Sequence, residues 1–287
     1  MLLLSFAVLL SASLGQADDR PRLKLDKKTK ARCLEVLRAG MRSDEFWPSI
    51  HAAEGLTLGG HGKEVIEYLT PKVNTVEDDQ QRCGVARELV RAGEKRAAKI
   101  MLAILGGDDD FGHVHAAESL YKVDQGAGSL IMKNRFSTTQ NLRLKLMSGA
   151  ALARKGDKEA FAFLREMLGH EDPELFKVAA WVLGRIGDET DIARLRKELP
   201  RCKDEITRVY FENSLAALGD EGGLKALARN LKSEDPAVRT YAATFAGDAW
   251  AINVADSLKA MLDDPHADAR YRAAQSLLQM SRPAKTK

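Results

Sequence analysis

The chain has 287 residues, with 44 Lys and Arg against 41 Asp and Glu, and its formal charge of +3 leaves no strong field over the molecule. With only 6% aromatic residues, this balance excludes a dedicated nucleic-acid binder, which needs a basic excess and stacking rings. Three cysteines and the lack of any CxxC pair exclude a disulfide-dense scaffold, a structural zinc knuckle and a thioredoxin-like redox centre.

Met1 to Ala17 carries no charged side chain and is apolar from Leu2 to Leu10 apart from Ser5, with Gly15 and Ala17 where a signal peptidase takes small residues. We read residues 1–17 as a secretory signal cleaved after Ala17, since roughly 13 mostly apolar residues are too few to span a membrane. The expected compartment is periplasmic or secreted. Residues 18–43 follow as a basic lead, with nine Lys or Arg between Arg20 and Arg42 against two acidic side chains. Residues 18–24 are expected to be unstructured. A helix from Lys27 to Met41 is expected to cap one end of the fold through Cys33, Leu34, Leu37 and Met41. Weak contact of residues 20–42 with anionic surfaces is the further option this charge offers.

From residue 44 to 280 one pattern recurs: an Ala-rich helix, a Gly-acid turn, then a Leu-patterned helix. Aligning Ala52, Val85, Ala116, Gly149, Ala179, Phe211, Ala242 and Ala273 gives spacings of 33, 31, 33, 30, 32, 31 and 31 residues. Small residues let each first helix approach its neighbours closely. Leucines four apart, such as Leu195 with Leu199, Leu227 with Leu231 and Leu258 with Leu262, give each second helix one buried stripe. In the turns "GGHGKE", "RAGEKR", "RKGDKE", "RIGDET" and "ALGDEG", Gly is expected to end the first helix in a left-handed conformation and the acid to cap the second. "HEDPEL", "SEDPAV" and "DDPHAD" place Pro near the start of the next first helix, where its missing N–H costs nothing. The segments "VDQGAGSL" (from Val123) and "AGDAWAINVADS" (from Ala246) depart from this turn chemistry. Residues 281–287 read as an unstructured tail.

"DPELFKVAAWVLGRIGDET" (from Asp172) and "DPAVRTYAATFAGDA" (from Asp235) resemble the short bacterial HEAT-like repeats first associated with phycobilisome lyases. The resemblance implies an all-α, right-handed α-solenoid of about eight helix pairs over residues 44–280. It implies a structural ladder in which Arg208, Arg239 and Arg270 meet the turn acids Asp157, Asp188 and Asp220. It also implies a concave surface lined by the second helices, which makes Arg165, Arg196, Lys197, Arg229 and Lys259 the candidate partner-binding residues.

Catalytic and metal chemistry find little support in the residues. His51 and His115 occupy equivalent repeat positions two units apart, roughly 20 Å at about 10 Å per helix layer, so they cannot share a metal. No HExxH, GxSxG or Walker loop occurs, and Asp108 to Asp110 lacks the Gly and Glu of a calcium loop. A Cys33–Cys83 bridge and simple burial of the thiols are both open. We expect no cofactor, no metal site and no catalysis. The expected function is that of a monomeric, exported, protein-binding scaffold with an unidentified protein partner. The alternative is a phycobilin-lyase-like or chaperone-like accessory subunit of an enzyme.

Overall fold

The structure, a computed structural model, describes residues 20–282, so the signal-peptide segment and the end of the tail lie outside the described residues. The helices are α1 (Lys27–Met41), α2 (Phe46–Leu58), α3 (Gly62–Leu69), α4 (Asp79–Ala92), α5 (Ala98–Gly106) and α6 (His113–Lys122). They continue as α7 (Leu130–Thr138), α8 (Leu142–Ala153), α9 (Lys158–Met167), α10 (Pro173–Ile186) and α11 (Glu189–Glu198). The last five are α12 (Glu205–Ala217), α13 (Glu221–Asn230), α14 (Pro236–Asp248), α15 (Ala255–Ala260) and α16 (Ala267–Ser281). No strand occurs among the described residues, and the fold is an α-solenoid.

Local chemistry sets these boundaries. Asp157, Asp188 and Asp220 cap α9, α11 and α13, and Pro173 and Pro236 stand at the first position of α10 and α14. Gly60, Gly93, Gly156 and Gly219 end their first helices at positive φ, as their turns require. Gly187 does not: at φ −73° and ψ 178° it is extended, because Asp188 and Asp191 form a capping box that starts α11 at once.

Every member of the repeat column, from Ala52 to Ala273, is buried. The column lies on the even-numbered helices, and each of these packs directly on the next: α2 on α4, α4 on α6, and so on to α14 on α16. The series then closes, because α16 packs against α2 nearly as extensively as it does against α14. Eight first helices thus make a ring, with the second helices resting on its outside.

Closure gives α1 a role other than that of an end cap. Among the described residues no second helix follows α16, and α1 packs in that position against both α16 and α2. Cys33, Leu37 and Met41 are its fully buried face, and Gly40 lies so close to Tyr271 of α16 that a Cβ there would come within 2.5 Å of the ring. Arg38 donates to Glu64 of α3 at 2.9 and 3.1 Å, just as Arg165 of α9 donates to Asp191 of α11. The eighth repeat is therefore assembled from both ends of the sequence.

Residues 20–24, expected to be unstructured, are held in place. The Leu23 N–H donates to the Met280 carbonyl at 3.0 Å, and Trp250 Nε1 donates to the Pro21 carbonyl at 2.7 Å. Arg20 and Arg22 lie over the Trp250 ring. This explains the departure of the seventh turn: Trp250, at φ 53°, replaces the Gly-Asp turn and clamps the lead. At the other terminus the helix runs through Ser281, and Arg282 donates to the Leu58 carbonyl at 2.9 Å, fastening residues first read as tail across the seam.

Close approach of helices is tightest at Gly223, where an added Cβ would meet Ala216 N at 2.4 Å and the Leu215 carbonyl carbon at 2.7 Å. Both are backbone atoms of α12, so relief requires the helices to separate. Gly→Ala inside a helix ordinarily stabilises by about 1 kcal/mol. We expect Gly223→Ala to have the opposite sign and cost about 2–3 kcal/mol, read as a lowered urea midpoint at unchanged slope.

Candidate functional site

The five cations first assigned to a concave binding face do not line the centre of the ring. Arg165 grips Asp191 from two sides at 2.7 and 2.9 Å and reaches Asp188 at 3.1 Å; Arg196 is bonded to Asp220. Arg229 clasps Glu212 at 2.9 Å and Lys259 meets Asp256 at 2.9 Å, while Lys197 is exposed. The concave surface belongs to the first helices, and the physical reason is size. Small residues allow these helices to pack side by side on the shorter inner circumference, leaving the Leu-bearing second helices outside.

The ladder exists with different partners. Asp188 and Asp220 are held by Arg165 and Arg196, which are second-helix arginines of the preceding unit, not by the first-helix series. Arg239 instead forms a two-pronged pair with Asp264 at 2.7 and 2.9 Å and donates to the Ser233 and Glu234 carbonyls. Arg270 donates to the Asp264 and Pro265 carbonyls, and Arg208 is exposed with no ion pair among the described residues. The inter-unit Asp-Pro turn is what Arg239 and Arg270 tie down.

At the ring's axis lies a cavity of ≈ 870 Å³, lined by side chains from all eight first helices except the buried α4 stretch before Arg91, with Arg20 of the lead at its edge. On most of the first helices the lining recurs in register, at positions one before, two after and six after the buried column, while α8 departs from it and faces the cavity through Arg143, Leu146, Met147 and Arg154. The positions in register give His51 and Glu54, His115, Glu118 and Lys122, Trp181 and Arg185, Tyr210, Tyr241 and Asp248, then Arg272 and Gln275.

Most of the cavity's charge is paired across helices. Glu54 of α2 lies 3.0 Å from Arg91 of α4 and 2.8 Å from Arg272 of α16, so it joins three units across the seam. Burial by itself would raise its pKa; Arg91 and Arg272, followed by Arg87 and Lys122, outweigh this and hold the carboxyl well below its usual range. Arg91 also meets Glu88 at 2.8 Å, and Glu88 is completely buried beside Arg87 at 2.6 Å. Arg185 pairs with Asp248 at 2.6 Å while lying over the rings of Trp181 and Phe245. Lys122 pairs with Glu118 at 2.6 Å.

The two histidines of equivalent repeat position part company. His51 Nδ1 sits 2.9 Å from Asp268, and its pKa is lowered chiefly by burial, then by Arg272. His115 stacks on Trp47, its pKa likewise lowered by burial. Among the described residues no group of three or more His, Cys, Asp or Glu side chains is arranged to hold a metal. Cys33, Cys83 and Cys202 are free and buried, and burial pushes the first two thiols up to about 12 and the third to about 11.

Residues 134–209 match the family model for HEAT repeats. No curated protein sequence matches the chain. Among solved structures, human deoxyhypusine hydroxylase in complex with glycerol is similar at 20% identity and a TM-score of 0.40, with 88% of this chain and 97% of that chain covered. The X-ray structure of YibA from E. coli is similar at 15% identity and a TM-score of 0.36, covering 90% and 99%. An engineered protein gives 16% identity and a TM-score of 0.33, covering 86% and 96%.

Proposed function

Because the chain is a HEAT-like repeat protein, we propose that it serves as a non-catalytic binding protein that takes its guest into the axial cavity of the closed ring. The observation that carries this reading is the cavity itself, built in register by the first helices and of ≈ 870 Å³, within the range of about 300–1,000 Å³ that suits a compact organic guest or the end of a partner chain. The pairing of Glu54 with Arg91 and Arg272, of Arg185 with Asp248 and of Lys122 with Glu118 supports holding over proton transfer, since each titratable group already has a fixed counter-ion. The outer cations Arg165, Arg196, Arg229 and Lys259 support structural roles between and within units. The reading includes export: residues 1–17 would be removed and the mature chain would begin at Asp18.

The test is native mass spectrometry of the tagged chain purified from an envelope fraction of its host. The expected result is a mature chain lacking residues 1–17 that carries a small additional mass. Thr244→Trp, which fills the cavity from α14, should lose that mass, and reversal of Arg229 and Lys259 on the outside should keep it. A guest retained by the filled ring and lost on outer-face reversal would return the binding site to the second helices.

A further inference from the structure

The cavity's charges are compensated except at one end. Arg154, at the end of α8, lines the cavity and makes no ion pair among the described residues; its only bond is from NH1 to the Tyr121 carbonyl at 2.8 Å. Its Nε is buried without a hydrogen-bond partner. Tyr121 of α6 lines the same wall, with the Arg154 guanidinium 4.4 Å from its ring centre. The residue is 1% exposed; the Arg154 guanidinium is the neighbour of its hydroxyl, which donates to no acceptor. Two buried donors on one wall, each with an unused N–H or O–H, destabilise the fold unless an acceptor meets them.

The surroundings define that acceptor. Burial, the largest influence on Tyr121, raises its pKa, so the hydroxyl keeps its proton and remains a donor at neutral pH. Trp181 stands edge-on to Tyr121 at 5.6 Å, and Arg185 bridges Trp181 to Phe245, which makes a wall of rings beside the donors. Arg20, a second cation with no ion pair among the described residues, stands at the edge of the same cavity. Net positive charge, two free donors and flat apolar surface suit an oxygen anion on a planar body.

We propose that this end of the cavity is a carboxylate site for an organic acid with a flat apolar body: its oxygens accept from Arg154 Nε–H and Tyr121 Oη–H, and its body lies against Trp181. The proposal rests on the reading of the cavity as the binding site and adds the chemistry of the guest. The carboxylate belongs either to a free small molecule or to the carboxyl terminus of a partner chain, and the two sources are separable.

The experiment is calorimetric titration of the mature chain, residues 18–287, with naphthalene-2-acetate and its uncharged amide, and with acetyl-Gly-Gly-Phe and its amide. We expect each acid that binds to do so about 10- to 100-fold more tightly than its amide, as for a hydrogen bond to a charged group. Arg154→Met should erase that ratio while leaving amide binding in place, Arg154→Lys should restore part of it, and Tyr121→Phe should weaken the acid about 5-fold. A preference for naphthalene-2-acetate over acetyl-Gly-Gly-Phe assigns the site to a free acid, and the reverse preference to a chain end. Equal binding of acid and amide overturns the carboxylate assignment but leaves the cavity as the binding site. Binding of neither, or binding unchanged by Thr244→Trp, overturns both. Unaltered melting of Arg154→Met and Tyr121→Phe would separate these effects from misfolding.

Discussion

A chain lacking residues 20–41 is expected to be unfolded or aggregated at 25 °C, whereas a circular permutant carrying the same residues after Arg282 is expected to melt within about 3 °C of the parent. The deletion removes the outer helix of the eighth unit. Val36, Leu37 and Met41 leave the core with it, each contributing about 1.5–3 kcal/mol, and together they approach the entire stability of about 5–15 kcal/mol that a domain has. It also strips cover from Gly55 and Tyr271, which pack on Leu37 and Gly40, and breaks the Arg38–Glu64 rung. The permutant tests whether covalent order matters. Leu23 already bonds Met280 at 3.0 Å, so a short Gly-Ser linker from Arg282 to Arg20 closes the gap, with new termini opened after Met41. Thermal melts of parent, deletion and permutant decide the matter: a permutant no more stable than the deletion would mean that α1 acts by leading the chain and not by sealing the ring.

The repeat was legible because packing imposes it locally. A residue that can be wholly buried, small in most units, recurs wherever a first helix meets its neighbours, and the column from Ala52 to Ala273 is buried throughout. Closure was not legible, because a slight change in rotation per unit, summed over eight units, separates an open superhelix from a ring, and no single residue encodes it. One clue lay in plain sight: among the described residues α1 carries the Cys33, Leu37 and Met41 stripe of a second helix without a first helix as its partner in the repeat. The cavity had a signal as well. Arg91, Lys122, Arg185 and Asp248 stand six residues after the column on Ala-rich helices, with Glu54 two after and Arg272 one before it, where a purely structural helix would be apolar. Attention to the second helices missed them, since charge on an outward helix face looks the same in sequence as charge around a polar cavity. Arg165 and Arg196 illustrate the converse: their carboxylate partners lie about 25 residues ahead, across a unit boundary that sequence spacing alone does not reveal.

Glu54→Gln is expected to cost about 2–3 kcal/mol at pH 7, the largest effect of any single isosteric change in the cavity. Its carboxylate is the common counter-ion of Arg91 and Arg272, whose side chains are 15% and 11% exposed, and removing its charge leaves two buried guanidiniums facing each other across the seam. The pH dependence identifies the mechanism. In the folded ring Glu54 is held well below its ordinary value near 4.5, so over the interval between those values the unfolded chain binds the extra proton. Its contribution is therefore complete above about pH 4.5 and disappears as pH falls through the depressed folded value. Urea titrations of parent and Glu54→Gln from pH 7 down to pH 3 should show a stability gap that is constant at neutral pH and narrows below about pH 4.5. A gap that stays constant over the whole range would mean that Glu54 acts through packing and hydrogen-bond shape, which glutamine preserves. The seam would then be held by the packing of α16 and α1 on α2 and not by the charge of Glu54.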